Sequence, residues 1–367
     1  MSAPRPRPGI LSLTPYVGGD HKPPAGARLR ANRAVRLASN ENPLGAGKAA
    51  TAAYLAAGPD LHRYPDGDSR ALREAIAAAE GLKAAQIVCG AGSDELIQLL
   101  VKAYAGPGDE VLYSRHGFLI YPIAATAAGA TPVTAPERDL TADVDALLAA
   151  VTDRTRMVFV ANPNNPTGSL LSDAEIRRLH AGLPGDVVLG LDSAYAEYVT
   201  DRSYDAGASL VDAAENVVML RTFSKIHGLA ALRLGWAYGS PAIADVLNRV
   251  RGPFNVGAAA QAAGVAALAD KAHVEASIRH NAKLLPWFSD KLRGLGFTVA
   301  PSAGNFVLLR LADAAAAQSA LAHLKAEGIL VRAMGGYGLP ESLRITIGTE
   351  EDLQAVVDSL AEWKQGR

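Results

Sequence analysis

The sequence predicts an α/β protein, with a three-layer large domain on a mostly parallel β-sheet followed by a smaller α/β domain. Short aliphatic and β-branched runs alternate with helix-forming stretches and are mostly bounded by Gly, Pro, Asp or Asn. The rhythm changes after Gly252-Pro253, where a long alanine-rich helical stretch precedes further short strands. The 367 residues are 49% hydrophobic and 20% charged, which is enough apolar side chain for more than one core.

Residues 1–26 are crowded with Pro and Gly and read as an extended arm that needs other parts of the chain for order. The spacing then predicts a helix over 69–80, a strand at 87–89, a helix over 93–104, a strand at 110–113, a helix over 121–128 and a strand at 131–133. Further strands are predicted at 157–160, 187–191 and 217–220. These runs are apolar throughout instead of alternating, as expected for a sheet covered by helices on both faces. Beyond residue 253 a helix is predicted over 258–292, then strands at 297–299 and 306–309. A helix N-capped by Asp313 runs to 327, strands lie at 329–331 and 343–347, and a last helix reaches 363. The expected division is an arm at 1–28, a large domain at 29–252 and a small domain at 253–367.

Charge and composition narrow the function. Thirty-six Lys and Arg balance 37 Asp and Glu, so the chain lacks the basic excess that nucleic-acid backbones demand. No run of about 18 uncharged apolar residues predicts a membrane span, and the opening MSAPRPRPGILSLTPY lacks the apolar stretch of a signal peptide. The single cysteine, Cys89, excludes an intramolecular disulfide and any CxxC site, and points to a reducing, cytoplasmic compartment. It lies in the apolar run Ile87-Val88-Cys89 and reads as a small buried hydrophobe. GxxxxGK[ST], HExxH and GxSxG are all absent, and no metal site is expected.

Four segments carry candidate chemistry. Gly90-Ala91-Gly92-Ser93-Asp94-Glu95 joins a strand to a helix. It reads either as a cradle for one phosphate on the amides of Ser93, Asp94 and Glu95, or as a helix start capped by Ser93. Asn162-Pro163-Asn164-Asn165-Pro166-Thr167-Gly168 is a polar turn after a buried strand, either site-forming or simple turn chemistry. Asp192 ends a core strand, where ligands of open α/β sheets bind, although a helix-capping role is open to it; Tyr195 follows three residues on. Thr222-Phe223-Ser224-Lys225 places a lysine just past another core strand, costly unless it pairs or reacts, and Arg233 follows eight residues later.

In this order, NPNNPTG, the Asp192/Tyr195 pair and TFSKIHGLAALRLGW resemble the pyridoxal-phosphate enzymes of the aspartate aminotransferase fold. SNENPLG at 39–45, RYPDG at 63–67, GSDEL at 92–96, GGYGLP at 335–340 and LRITIGT at 343–349 are similar to histidinol-phosphate aminotransferases in particular. The resemblance implies that Lys225 carries pyridoxal 5'-phosphate as an aldimine and that Asp192 pairs with its ring nitrogen. It implies Asn165 and Tyr195 at the ring 3-oxygen, Phe118 stacked on the ring, and Ser93, Asp94, Glu95, Thr222, Ser224 and Arg233 around the phosphate. Tyr64 would reach the cofactor of a second subunit, making a homodimer with composite sites. Tyr16, Asn42, Arg332 and Arg344 would bind substrate. Relatives often carry proline at the position of His116 and tyrosine at that of His227.

The implied reaction is reversible amino transfer between histidinol phosphate and 2-oxoglutarate, within histidine biosynthesis. An aromatic amino acid aminotransferase is the enzyme alternative, and a non-catalytic cofactor-binding protein is a third reading that intact Lys225, Asp192 and Arg344 oppose.

Overall fold

The computed structural model describes residues 6–366, so the first five residues of the expected arm and Arg367 lie outside it. Among the described residues, seven strands form the larger sheet. Their spatial order is Ile87–Gly90, Gly235–Gly239, Val217–Thr222, Val188–Asp192, Thr155–Ala161, Glu110–Ser114 and Thr131–Ala135. Gly235–Gly239 runs antiparallel to both neighbours, while the other adjacent pairs are parallel. Six strands therefore point the same way.

Side chains of these strands alternate between two cores. Val158, Leu189 and Met219 pack with Leu72 and Ile76 of the helix Arg70–Glu80 on one face. Phe159, Val188 and Val218 pack with Leu96 and Leu100 of the helix Ser93–Tyr104 on the other. Period-two alternation with both sides apolar is what makes the runs continuous in sequence and the sheet the middle of three layers. The reversed strand, GWAYG, was not expected: it is only five residues long and bounded by glycines, a weak strand signature, yet it is buried throughout.

The smaller sheet has the order Thr298–Val299, Phe306–Arg310, Ser342–Thr346, Arg332–Ala333, all antiparallel. Its core gathers Phe288, Val307, Ile345, Leu324 and Leu360 beneath the helices Lys271–Gly294, Ala314–Ala326 and Glu350–Gln365. The single helix expected over 258–292 is two helices. Asp270 leaves helical geometry at ψ 65, and its side chain caps the second helix by accepting from the His273 N–H.

Two segments pack across the expected borders. Val35 and Leu37 belong to the smaller core, with Val35–Arg36 pairing in parallel with Ile329–Leu330, and Arg30 forms an ion pair with Glu327. Conversely, Ala260, Ala263 and Ala267 of the helix Ala258–Ala269 belong to the larger core. We propose that the division follows this packing and not the chain positions 28/29 and 252/253.

Candidate active site

Five parallel strands deliver their carboxyl ends to one edge of the larger sheet, and the segments following Gly90, Ser114, Ala161, Asp192 and Thr222 gather there around a cavity of about 400 Å³. Ser93, Asp94, Phe118, Asn165, Asp192 and Tyr195 line it from these segments, joined by Thr222, Ser224, Lys225 and Arg233. Arg332 and Arg344 enter from the smaller sheet and Tyr16 from the arm.

Phe223 and Ile226 are fully buried on either side of Ser224-Lys225, which pins the turn and leaves the lysine directed into the cavity. Its Nζ donates to the Ser39 carbonyl at 3.1 Å and lies 5.7 Å from the centre of the Tyr195 ring. Burial, with the nearby Arg344 and Arg233 cations, lowers its pKa to about 8. An amine so tuned exchanges protons near neutrality, unlike an ordinary lysine.

Asp192 is 5% exposed and accepts from the Tyr121 hydroxyl at 2.9 Å through Oδ2. Its Oδ1 is buried with no partner, and burial raises the carboxyl pKa to about 6. Tyr195 and Asn165 are already engaged: the Tyr195 oxygen accepts from Asn40 Nδ2 at 2.8 Å, and Asn165 Oδ1 accepts from Arg344 Nη1. Arg344 also donates to the Ala38 carbonyl at 2.9 Å, while its Nε is buried without a partner. Phe118 stands edge-on to Tyr121 and to Tyr16.

At the other end of the cavity the helix Ser93–Tyr104 begins. Its N-cap is Gly92, at φ 87, and not Ser93, and no side chain caps it. The backbone at φ 87 favours glycine, and a Cβ there would also push against the ends of the Arg233 and Asp94 side chains. No side chain caps the first-turn amides, an arrangement that suits an anion. Arg233, itself left-handed at φ 49, holds Asp94 through Nη2 at 2.8 Å and reaches Ser224 Oγ through Nη1 at 3.3 Å. The Ser224 N–H donates to Thr222 Oγ1 at 3.1 Å.

Three expected residues lie elsewhere. The Glu95 carboxylate turns back to accept from the Ala91 N–H and Asn255 Nδ2, leaving only its backbone N–H for a phosphate. Asn42 does not line the cavity: its Nδ2 donates to the Ile226 carbonyl and Ser277 Oγ, and its Oδ1 accepts from the Leu44 N–H, so its side chain braces the loop. Tyr64 stacks on Phe254 at 4.6 Å, 83% exposed and away from the chain's own cavity. His116 is held by Glu137 at 2.7 Å, and His227 is buried against Phe223 with its pKa lowered to about 4; neither lines the cavity. Sequence reasoning missed Asn40 and Tyr121. Tyr121 stands three residues after Phe118, and Asn40 lies in SNENPLG two residues before Asn42, so nearness to expected site residues is the signal that could have found them.

The donor set fits pyridoxal phosphate. An orphaned buried carboxylate oxygen suits a cationic ring nitrogen, unpaired helix amides beside Arg233 suit a phosphate, and an amine of lowered pKa opens into the same cavity.

The model of the aminotransferase class I and II family matches residues 32–360. The chain is 58% identical over 367 residues to the histidinol-phosphate aminotransferase of Rhodospirillum centenum, covering all of both chains. It is 56% identical to that of Paramagnetospirillum magneticum, covering 99% of each. The crystal structure of histidinol-phosphate aminotransferase from Sinorhizobium meliloti in complex with pyridoxal-5'-phosphate superposes with a TM-score of 0.90 at 29% identity, covering 100% of this chain and 99% of that one. The chain belongs to the class I and II aminotransferases.

Proposed function

We propose that the protein is a cytoplasmic, homodimeric histidinol-phosphate:2-oxoglutarate aminotransferase using pyridoxal 5'-phosphate. The observation that carries the substrate choice is the pairing of Arg332 directly opposite Arg344 on adjacent antiparallel strands, both lining the cavity. Like charges facing each other across a sheet are unfavourable until an anion joins them. A phosphate ester meets that need in one half-reaction and a carboxylate of glutamate in the other. Tyr16, its ring 5.4 Å from the Arg332 guanidinium carbon, closes this end. Similarity over the full length to proteins of the same activity supports the reading.

Bound pyridoxal phosphate supplies the electron sink that lets the donor's Cα–H bond break. Asp192 Oδ1 would hold the proton on the ring nitrogen, and Lys225 Nζ would anchor the group and serve as base and acid for the Cα proton. Asn165 and Tyr195 would bind its ring oxygen and Phe118 would cover its ring. The first-turn amides, Thr222, Ser224 and Arg233 would hold its phosphate and so keep it in place.

Tyr64 is exposed, as are Tyr54, Leu55 and Leu61 within ten residues of it in sequence. Large apolar side chains left exposed in one short stretch favour a second copy as their cover, with Tyr64 delivered to that copy's phosphate site. Among the described residues no helix is long and apolar enough to cross a membrane.

Steady-state kinetics on histidinol phosphate, phenylalanine and tyrosine test the substrate. A larger kcat/KM for histidinol phosphate is expected, and equal or better turnover of the aromatic amino acids would replace this reading with the aromatic one. Borohydride reduction should fix the cofactor on Lys225; an adduct on another lysine would refute the assignment.

A further inference from the structure

The loop holding Ser39-Asn40-Glu41 crosses between the two sheets, and Asn40 is its most enclosed polar residue at 1% exposed. Its backbone is left-handed at φ 55, a conformation asparagine tolerates better than most residues. The Asn40 N–H donates to Thr346 Oγ1 at 2.9 Å, and its carbonyl accepts from Asn305 Nδ2 at 3.1 Å. Thr346 lies on the strand Ser342–Thr346 that also carries Arg344. The side chain then reaches across to the larger sheet, where Nδ2 donates to the Tyr195 hydroxyl at 2.8 Å.

We propose that Asn40 is a positioning residue that makes Tyr195 a hydrogen-bond donor toward the cofactor's ring oxygen. A phenol has one hydrogen. With an amide N–H already aimed at the phenol oxygen, that hydrogen cannot turn back toward Asn40 and is left for the cavity, which Tyr195 lines. Lys225 Nζ lies 5.7 Å from the ring centre, the charges of Arg344 and Asp192 also act on the phenol, and Tyr16 is a further titratable neighbour. Burial pushes the phenol up to about 12, and Arg344 and the Asn40 hydrogen bond pull against it, strengthening the donor. Fixing the donor's direction before the ligand arrives is the kind of preorganisation that an oxyanion rewards.

The inference rests on the cofactor reading above. Asn40→Asp keeps size, tolerates the left-handed backbone and retains an acceptor facing Thr346, but it presents Tyr195 with a carboxylate oxygen to which the phenol hydrogen turns. A donor to the ring oxygen favours its unprotonated form, so losing that donor should raise the pH at which the bound cofactor's absorbance titrates. The expected rise is about 0.5–1.5 pH units in Asn40→Asp, with a rise of the same sign in the uncharged Asn40→Gly. Tyr195→Phe should raise the midpoint at least as far. In the Tyr195→Phe background Asn40→Gly should add nothing, because its effect runs through the phenol; an effect of charge or of loosened structure would persist there. Melting curves confirm folding, and Asn40→Gly carries the test should Asn40→Asp fail to load cofactor. An unmoved or lowered midpoint in the folded variants, or additive shifts in the double variant, overturns the proposal. A wild-type protein whose reduced cofactor is not on Lys225 overturns the cofactor reading, and this inference with it.

Discussion

Replacing Asp192 with asparagine should abolish catalysis and, in the cofactor-free protein, remove a stability cost whose size follows from the structure. Burial raises the Asp192 carboxyl from its usual 3.8 to about 6. Between those values the folded state binds more protons than the unfolded one, so stability falls as pH rises through this window, and the full cost remains above it. Two pH units correspond to roughly 3 kcal/mol. Cofactor-free wild type should therefore lose roughly that much stability, from this residue alone, between about pH 4 and pH 7. The amide introduced by Asp192→Asn has no such titration. Denaturant unfolding of both cofactor-free proteins across this range reads the difference between the two pH profiles, which cancels whatever constant penalty the substitution imposes on the Tyr121 hydrogen bond. Parallel profiles would show that the orphaned oxygen is not the strained charge described here. With cofactor present the order should reverse, because only the carboxylate gains a cationic partner.

Lys225→Ala should retain cofactor without a covalent bond, seen as absorbance lost on gel filtration, and turnover should fall by at least about a thousandfold, as for loss of an acid–base group together with its tether. Gly92→Ala forces a side chain onto a backbone at φ 87 and against Arg233, so cofactor affinity measured by titration should weaken about tenfold or more. Arg332→Ala should lower kcat/KM for histidinol phosphate by about 2 kcal/mol or more and that for phenylalanine by clearly less, while Arg344→Ala damages both; equal losses in Arg332→Ala would sink the phosphate argument. Mixed Tyr64→Phe and Lys225→Ala subunits should recover activity above either parent, since one site of each hybrid dimer is unaltered; no recovery in verified hybrids would argue against sharing.

The parallel strands were legible because the middle of a strand covered on both faces is apolar, and Val187-Val188-Leu189-Gly190-Leu191 or Val217-Val218-Met219-Leu220 cannot be mistaken for loops. Lys225 and Asp192 stood out for the complementary reason, a charge placed where such a run ends. The reversed strand at Gly235–Gly239 gave no comparable signal, since its direction is set by the partners it finds and not by its own five residues. The break at Asp270 was hidden by alanines that favour helix on both sides. Choosing between Asn40 and Asn42 needed tertiary structure. Both stand in one motif, and only the left-handed turn at Asn40, with the contacts of Asn42 to Ile226 and Ser277, decides which amide meets the site.

The same physical cause acts on the two groups central to the chemistry, in opposite senses. Burial drives the Asp192 carboxyl up to about 6 and the Lys225 amine down to about 8, so each is pushed toward its neutral form. On the proposed function, a ligand with a cationic ring nitrogen at one end and a phosphate at the other would restore the carboxylate's charge and meet Arg233 and the first-turn amides, while the lowered pKa leaves the free Lys225 amine able to give up its proton near neutrality. Arg344 extends the logic across the sheets: its Nε has no partner, and its other nitrogens hold Asn165 of the larger sheet and Ala38 of the crossing loop. An anionic substrate that takes up this guanidinium therefore acts on a group already tied to both halves of the site. On the proposed function, substrate binding and the alignment of Asn165 with the cofactor's ring oxygen would be coupled through this one side chain.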